Sequence, residues 1–155
     1  MKDSNTKVKR RAIAALGEYM FYAATQLDDD QVDPVWELSN DAICVIVRNL
    51  RMDADTDEIV RFYSCKTLEN ICAQSTSAGH KFTTLECINH LLAIFLHQEP
   101  KTTQQKAEAR ISLQTSAAVA LSHIVRLNSQ LFPVIFDKIT ASNYCVTLSE
   151  GPPRV

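Results

Sequence analysis

The sequence of 155 residues predicts an all-α fold, and three observations support this prediction. Glycine is rare, with three residues in the chain, whereas sheet folds rich in tight turns need glycine at positive φ. Apolar residues recur at the three- and four-residue spacing of amphipathic helices along most of the chain. The helical segments themselves repeat at intervals of 49 to 53 residues. A repeat of this length predicts a right-handed α-solenoid of about three stacked helical hairpins.

Proline, glycine and acidic residues divide the chain into six predicted helices. Asp33 is expected to cap the second helix, with Pro34 at its first position. Asp57 and Glu58 favour the start of the third helix, because carboxylates stabilise the positive end of the helix dipole. Pro100 ends the fourth helix. The predicted helices cover residues 8–26, 34–52, 57–74, 82–97, 105–127 and 132–147.

The first, third and fifth predicted helices share one pattern. A large residue is followed four positions later by a small one, and four positions after that by leucine. The aligned positions are Val8, Ala12, Leu16 and Tyr19, then Val60, Ser64, Leu68 and Ile71, and then Leu113, Ala117, Leu121 and Ile124. Such repeated hairpins resemble HEAT and armadillo units, which bury their apolar faces by stacking on one another. An irregular six-helix bundle is the alternative, but a bundle does not require a repeat.

One domain is expected over residues 1–148, followed by a disordered tail over residues 149–155, which has nothing to pack against. Three hairpins are close to the minimum for a stable array, so we interpret the chain as a piece of a larger protein. The first helix carries Ile13, Met20 and Phe21 on more than one side. We expect these side chains to form an exposed outer face that supports weak self-association.

Charge and cysteine content narrow the class of protein. The chain has 16 basic and 18 acidic residues, a net charge of −2, which argues against a dedicated nucleic-acid binder. No apolar run approaches the roughly 20 residues that span a bilayer, and no signal-peptide pattern follows the charged N-terminus. The five cysteines form no CxxC pair, and Cys44, Cys65, Cys72 and Cys87 lie well inside predicted helices. We therefore expect a cytoplasmic, reducing environment in which these thiols act as small buried apolar groups.

One segment of the first helix carries a family resemblance. Residues 9–26 read KRRAIAALGEYMFYAATQ, in which an Ala-Ala-Leu-Gly-Glu core precedes Phe-Tyr-x-Ala-Thr-Gln. This segment resembles the C-terminal helical-repeat region of the Unc-51-like kinase group, in its Fused- and Runkel-related branch. The resemblance implies a large parent protein with an N-terminal kinase or pseudokinase domain and a scaffold role in microtubule or ciliary processes, with a cytoskeletal or ciliary location. No glycine-rich loop, His-Arg-Asp or Asp-Phe-Gly occurs in these 155 residues.

An acidic stretch resembles the start of an EF-hand calcium loop. Asp53, Asp55 and Asp57 have the required spacing. The sixth position of that loop needs glycine and the twelfth needs glutamate, but these positions hold Glu58 and Ser64. We therefore predict that this stretch is a turn that caps the third helix and binds no ion.

Cys87, His90 and His97 could begin a zinc site, but no second Cys/His pair has ligand spacing. No Ser, His and Asp arrangement has the sequence of a nucleophile elbow. We therefore predict no catalytic residue, no metal ligand and no cofactor.

A basic cluster, Lys7, Lys9, Arg10 and Arg11, precedes the first apolar stripe. It is interpreted as the charged entry to the first helix rather than as a contact for lipid or RNA.

The predicted function is a non-enzymatic protein-protein interaction scaffold. Helical-repeat proteins bind partners on an extended concave surface, formed here by the second helix of each hairpin. The predicted partner-binding ladder consists of Glu37, Asp41, Arg48, Arg51, Glu86, Asn89, His90 and His97. A nucleic-acid-binding helical repeat is the alternative, although it would need lysine and arginine interleaved with aromatic residues, and the ladder mixes charges of both signs. Any exposed helix face also carries polar residues, so the ladder stays a prediction.

Overall fold

The computed structural model describes residues 2–27, 38–98 and 103–142, with side chains for residues 5–26, 38–98 and 103–142. Within these residues the chain forms helices and no strand, which confirms the predicted all-α class. The α-helices are α1 (Lys2–Leu27), α2 (Asn40–Arg48), α3 (Glu58–Gln74), α4 (Thr76–Gly79), α5 (Leu85–Phe95), α6 (Gln104–Leu127) and α7 (Phe132–Ala141). Short 3₁₀ turns at His80–Phe82 and Ser129–Leu131 precede α5 and α7.

Helix α2 is shorter than predicted. It begins after Ser39, whose hydroxyl accepts a hydrogen bond from the Asp41 amide at 3.2 Å, and it ends at Arg48. Asn49 and Leu50 turn the chain out of the helix. The predicted cap at Asp33 and Pro34 lies outside the described residues, as do Pro100, Cys145 and the tail.

The acidic turn before α3 caps this helix, as predicted. The Asp57 carboxylate accepts a hydrogen bond from the Val60 amide at 3.1 Å. Asp53 accepts hydrogen bonds from the Thr56 amide at 2.8 Å and the Thr56 hydroxyl at 2.7 Å. Arg10 of α1 also donates two hydrogen bonds to Asp57, at 2.8 and 2.9 Å, and this contact lowers the pKa of the Asp57 carboxyl. The acidic turn therefore joins α1 to the start of α3.

A short helix, α4, occupies part of the segment between the third and fourth predicted helices. The Ser75 hydroxyl caps α4 by accepting a hydrogen bond from the Ala78 amide at 3.1 Å. Gly79, the last residue of α4, lies in close contact with the end of α6. A Cβ atom at Gly79 would lie 2.5 Å from Cδ1 of Leu127, so glycine lets the end of α6 approach α4. Phe82 follows and is fully buried.

Helix α3 lies between two other long helices. On one side it approaches α1 so closely that a Cβ atom at Gly17 would lie 2.3 Å from the Thr67 hydroxyl oxygen. Two positions along α3, Glu69 points to α6 and accepts a hydrogen bond from the Ser116 hydroxyl at 2.6 Å. Helix α5 packs against α2, α6 and α7. The fully buried core residues include Met20, Ile46, Leu68, Leu91 and Ile124, from α1, α2, α3, α5 and α6.

The predicted outer face of α1 was wrong. Ile13 and Met20 are buried, at 5% and 0% exposure, and Phe21 is half-buried. Val8 and Tyr19, which were aligned with the buried residues Val60 and Ile71 of α3, are exposed at 64% and 46%. The helix has apolar residues on two sides, and α3 approaches the side on which position 17 has no side chain. Gly17 thus determines which side of α1 faces the core.

Candidate protein-interaction surface

The predicted ladder begins on the outer side of α2. Asp41 and Arg48 are exposed there, seven residues apart and therefore on one face of the helix. The opposite side carries the buried residues Ile43, Ile46 and Val47. Arg51 is exposed in the loop that follows. Glu37, the first residue of the predicted ladder, lies outside the described residues.

On α5 the predicted ladder residues differ in exposure. Glu86 and Asn89 are exposed, and Asn89 accepts a hydrogen bond from the Lys138 ammonium of α7. His90 is half-buried, and its buried Nε2 atom has no hydrogen bond within the described residues, although Glu86 Oε1 is 3.7 Å away. His97 is half-buried beyond the end of the helix. The structure therefore places Asp41, Arg48, Arg51, Glu86 and Asn89 at the surface, and His90 and His97 partly inside the fold.

Arg61 is a positioning residue that sequence reasoning missed. Its side chain is 5% exposed, and its guanidinium donates to three backbone carbonyls. The acceptors are Arg51 O at 2.8 Å, Asp53 O at 3.1 Å and Thr56 O at 3.2 Å. Arg61 thereby shapes the loop that carries the ladder residue Arg51. The only sequence signal was a single arginine among the apolar positions of α3.

Gln114 of α6 holds the end of α5 in a similar way. Its amide nitrogen lies 2.8 Å from the carbonyl oxygen of His97 and 3.3 Å from those of Ile94 and Phe95. Ile94 and Phe95 end α5, and His97 lies just beyond it, where few backbone amides remain to bond these carbonyls. The carbonyl of Ile94 also accepts a hydrogen bond from the His97 amide at 3.3 Å. Gln114 thus caps α5 from a different helix, which fixes the position of His97.

A cleft of about 350 Å³ opens between α3, α5 and α6. Its apolar lining consists of Met52, Ile59, Phe62, Ile94, Ala109 and Leu113, and its polar lining of Glu58, Arg61, His97, Lys106, Arg110, Ser112 and Gln114. Lys106 and Arg110 are four residues apart on α6 and therefore share one face. Neither cation has an ion-pair partner within the part of the chain that the structure describes. The cleft can accept an apolar group that has a negative charge beside it.

Three of the four described cysteines are buried. Burial raises the pKa of Cys65 to about 11 and that of Cys72 to about 12, and it also raises the pKa of Cys87. These thiols stay protonated near neutral pH and therefore lack the thiolate that reacts as a nucleophile. The expectation of burial was wrong for Cys44, which is exposed because it lies on the same outer side of α2 as Asp41 and Arg48.

Within the described residues, no group of three His, Cys, Asp or Glu side chains is placed to hold a metal ion. In the same residues no single helix is long and apolar enough to cross a membrane. Helices Gln104–Leu127 and Ser129–Ala141 meet that criterion only together, across a bend of 120°.

One similarity to a known protein covers nearly the whole chain. The chain is 25% identical over 166 aligned positions to the Serine/threonine-protein kinase RUNKEL of Arabidopsis thaliana. The alignment covers 99% of this chain and 11% of that kinase, so the chain spans about a ninth of its length. No protein-family model matches the chain, and no solved structure matches it. The comparison establishes a distant, partial relationship to the Fused- and Runkel-related kinase branch.

Proposed function

We propose that this chain is a non-enzymatic protein-interaction scaffold, a helical-repeat segment of an Unc-51-like serine/threonine kinase or pseudokinase. The alignment to RUNKEL supports this, because it covers 99% of this chain but only 11% of the kinase. Kinase catalysis depends on a glycine-rich loop and a strand that carries the catalytic lysine, and the described residues form helices only. The cytoplasmic setting, with its microtubule or ciliary connection, belongs to the same proposal.

The helix contacts support a stacked-hairpin arrangement. Helix α3 packs against α1 and α6, while α5 packs against α2 and α7 and also against α6. Within each of these two groups of helices, neighbours in space are also successive members of the group along the chain. Stacking of successive hairpins requires this order. In such a stack α1, α3 and α6 are the first helices of the hairpins, and α2, α5 and α7 are the second helices. The second helices then carry the partner-binding surface.

The single observation that carries the interaction proposal is the exposed, mixed-charge outer side of α2 and α5. Asp41 and Arg48 lie on α2, Glu86 and Asn89 lie on α5, and these two helices are in contact. A surface that mixes positive and negative side chains complements another protein better than it complements a phosphate backbone, which requires a basic excess. The proposed partner is therefore a protein with a mixed-charge surface.

A pair of charge reversals tests this surface. The variant Arg48→Glu/Glu86→Lys reverses two charges on the proposed surface and keeps the net charge. The matched control, Glu108→Lys/Arg126→Glu, reverses two exposed charges of α6 in the same way. Each protein is fused to a proximity-labelling enzyme and expressed in cells, and the labelled proteins are identified by mass spectrometry. We expect a partner that the wild type and the control label in common and that the surface variant labels at least tenfold less.

Equal labelling by the two variants would contradict the proposed surface. Fluorescence anisotropy with a single-stranded RNA at physiological salt addresses the nucleic-acid alternative. Saturable binding that Arg48→Glu abolishes would favour that alternative over a protein partner.

A further inference from the structure

Helix α1 carries a regular apolar stripe on the side that faces away from α3. The stripe consists of Val8, Ala12, Ala15, Tyr19 and Tyr22, which are alternately four and three positions apart. All five are exposed, with Val8 at 64%, Tyr19 at 46% and Tyr22 at 60%. This alternation is the spacing of the contact positions in a coiled coil. The stripe therefore has the geometry to pair with another helix.

We propose that the α1 stripe binds the α1 stripe of a second copy of this chain, with the two helices antiparallel. The charges along the stripe support this orientation. Arg11 and Glu18 lie on the same edge of the stripe, seven residues apart, and both are exposed. In an antiparallel pair, residues on the same edge of the two helices face each other. Arg11 of each copy then lies beside Glu18 of the other copy.

The antiparallel register also matches the sizes of the contacting side chains. When Arg11 faces Glu18, Ala12 meets Ala15 of the second copy, and Val8 meets Tyr19. The two central layers of the interface contain only alanine and therefore let the helix backbones approach closely. Val8 and Tyr19 form a larger contact at each end of the interface. A shift of one heptad would bring Glu18 against Glu18, and a parallel pair would bring Arg11 against Leu16. Both alternatives lose the two ion pairs, so the charges select one register.

The expected dimer is weak. In this register each copy contributes four stripe side chains, two of them alanines, which is well below the area of a standard stable interface. A dissociation constant of about 0.1 mM is consistent with such a contact. The stripe lies on α1, whereas the proposed partner surface lies on α2 and α5. A test of self-association is therefore independent of a test of the proposed function.

Sedimentation velocity at rising protein concentration measures the association of the whole chain. We expect a reversible dimer in the wild type. Arg11→Glu and Glu18→Arg should each weaken it about tenfold, because each creates two like-charge contacts. The double variant Arg11→Glu/Glu18→Arg should recover most of the wild-type affinity, because it restores both pairs with exchanged signs. The matched control is Ile111→Glu, at an apolar residue of α6 that is 58% exposed, and it should leave the dimer unchanged.

Cross-linking checks the register. In a Cys44→Ser background, which removes the exposed native thiol, a short bismaleimide should join Ala12→Cys to Ala15→Cys in a mixture of the two variants. Preferential joining of Ala15→Cys to itself would indicate a parallel pair and would overturn the proposal. A wild type that stays monomeric at millimolar concentration, or a double charge variant that does not recover, would also overturn it. Circular dichroism of each variant checks that the total helix content is unchanged.

Discussion

Helices α1 and α3 have the same buried pattern but different surroundings. The four positions that α1 turns inward, Ile13, Gly17, Met20 and Ala24, have the same spacing as Val60, Ser64, Thr67 and Ile71 of α3, and all eight are buried. Helix α1 packs mainly on α3, and its opposite side stays exposed. Helix α3 lies between α1 and α6 and buries further residues, including Arg61, Cys65 and Leu68. The comparison teaches that the number of neighbouring helices, more than the helix pattern, sets how much of each helix is buried.

The largest expected difference between the two helices is in the free energy of unfolding that is lost when a leucine is replaced by alanine. Leu68 of α3 is fully buried, whereas Leu16 of α1, which the sequence repeat aligned with it, is half-buried. Leu68→Ala should lower the free energy of unfolding by about 4 kcal/mol, because it leaves a cavity in the core. Leu16→Ala should lower it by about 1 kcal/mol, because much of its surface stays in water. Urea unfolding followed by circular dichroism measures both, and equal losses would contradict the comparison.

The next largest expected difference is in the stability that is lost when Arg61 of α3 or Arg10 of α1 is replaced. Arg61→Met should lower the free energy of unfolding by about 3 kcal/mol, because three backbone carbonyls lose their donor together. Arg10→Met should cost less, because Arg10 is 37% exposed and its ion pair with Asp57 is screened by water. Amide hydrogen exchange should speed up in residues 51–56 of the Arg61 variant only. Unchanged exchange in that loop would show that Arg61 does not hold it.

A third prediction uses the buried thiols of α3 and α5, since α1 has no cysteine. Burial raises the folded-state pKa of Cys65 and Cys72 above the unfolded value. Their contribution to stability is therefore complete below about pH 8.5. It is lost as the pH rises toward their folded pKa values of about 11 and 12.

Between these pH values, each such thiol should lower the free energy of unfolding by about 1.4 kcal/mol per pH unit. Cys72→Ala should reduce the slope of the free energy of unfolding against pH by about that amount. Urea unfolding at a series of alkaline pH values measures this slope. Cys44→Ser, at the exposed cysteine, is the matched control and should leave the slope unchanged. A slope that Cys72→Ala does not alter would contradict the burial of this thiol.

The smallest effect concerns the contact between the two helices. Gly17→Ala should lower the free energy of unfolding by about 1 kcal/mol, although alanine favours an isolated helix, because its Cβ would meet the Thr67 hydroxyl. Thr67→Ala in the same chain should recover most of that loss. A double-mutant cycle measures the coupling between the two positions. A stabilised Gly17→Ala single variant would show that α1 and α3 are less closely packed at this point.

Predictions from the sequence were accurate where the controlling contacts are local. The all-helical class and the cap at Asp57 depend on residues within one or two turns of each other, and both are confirmed. The start of α2 was placed too early, because helical spacing of apolar residues does not mark where Ser39 provides a cap. The exposed ladder residues Asp41, Arg48, Glu86 and Asn89 could be named from their polarity, but the partial burial of His90 and His97 could not.

The sequence by itself determined the helical class, the capping of α3 and the two apolar sides of α1. The tertiary structure alone decided which of those sides is buried, which carbonyls Arg61 and Gln114 serve, and that a cleft opens beside Lys106 and Arg110. The physical reason is the range of the interactions. Helical hydrogen bonds and caps join residues about four positions apart. Burial of α1 and α3 depends on contacts such as Gly17 with Thr67 and Glu69 with Ser116, which join residues about fifty positions apart, and no local pattern specifies them.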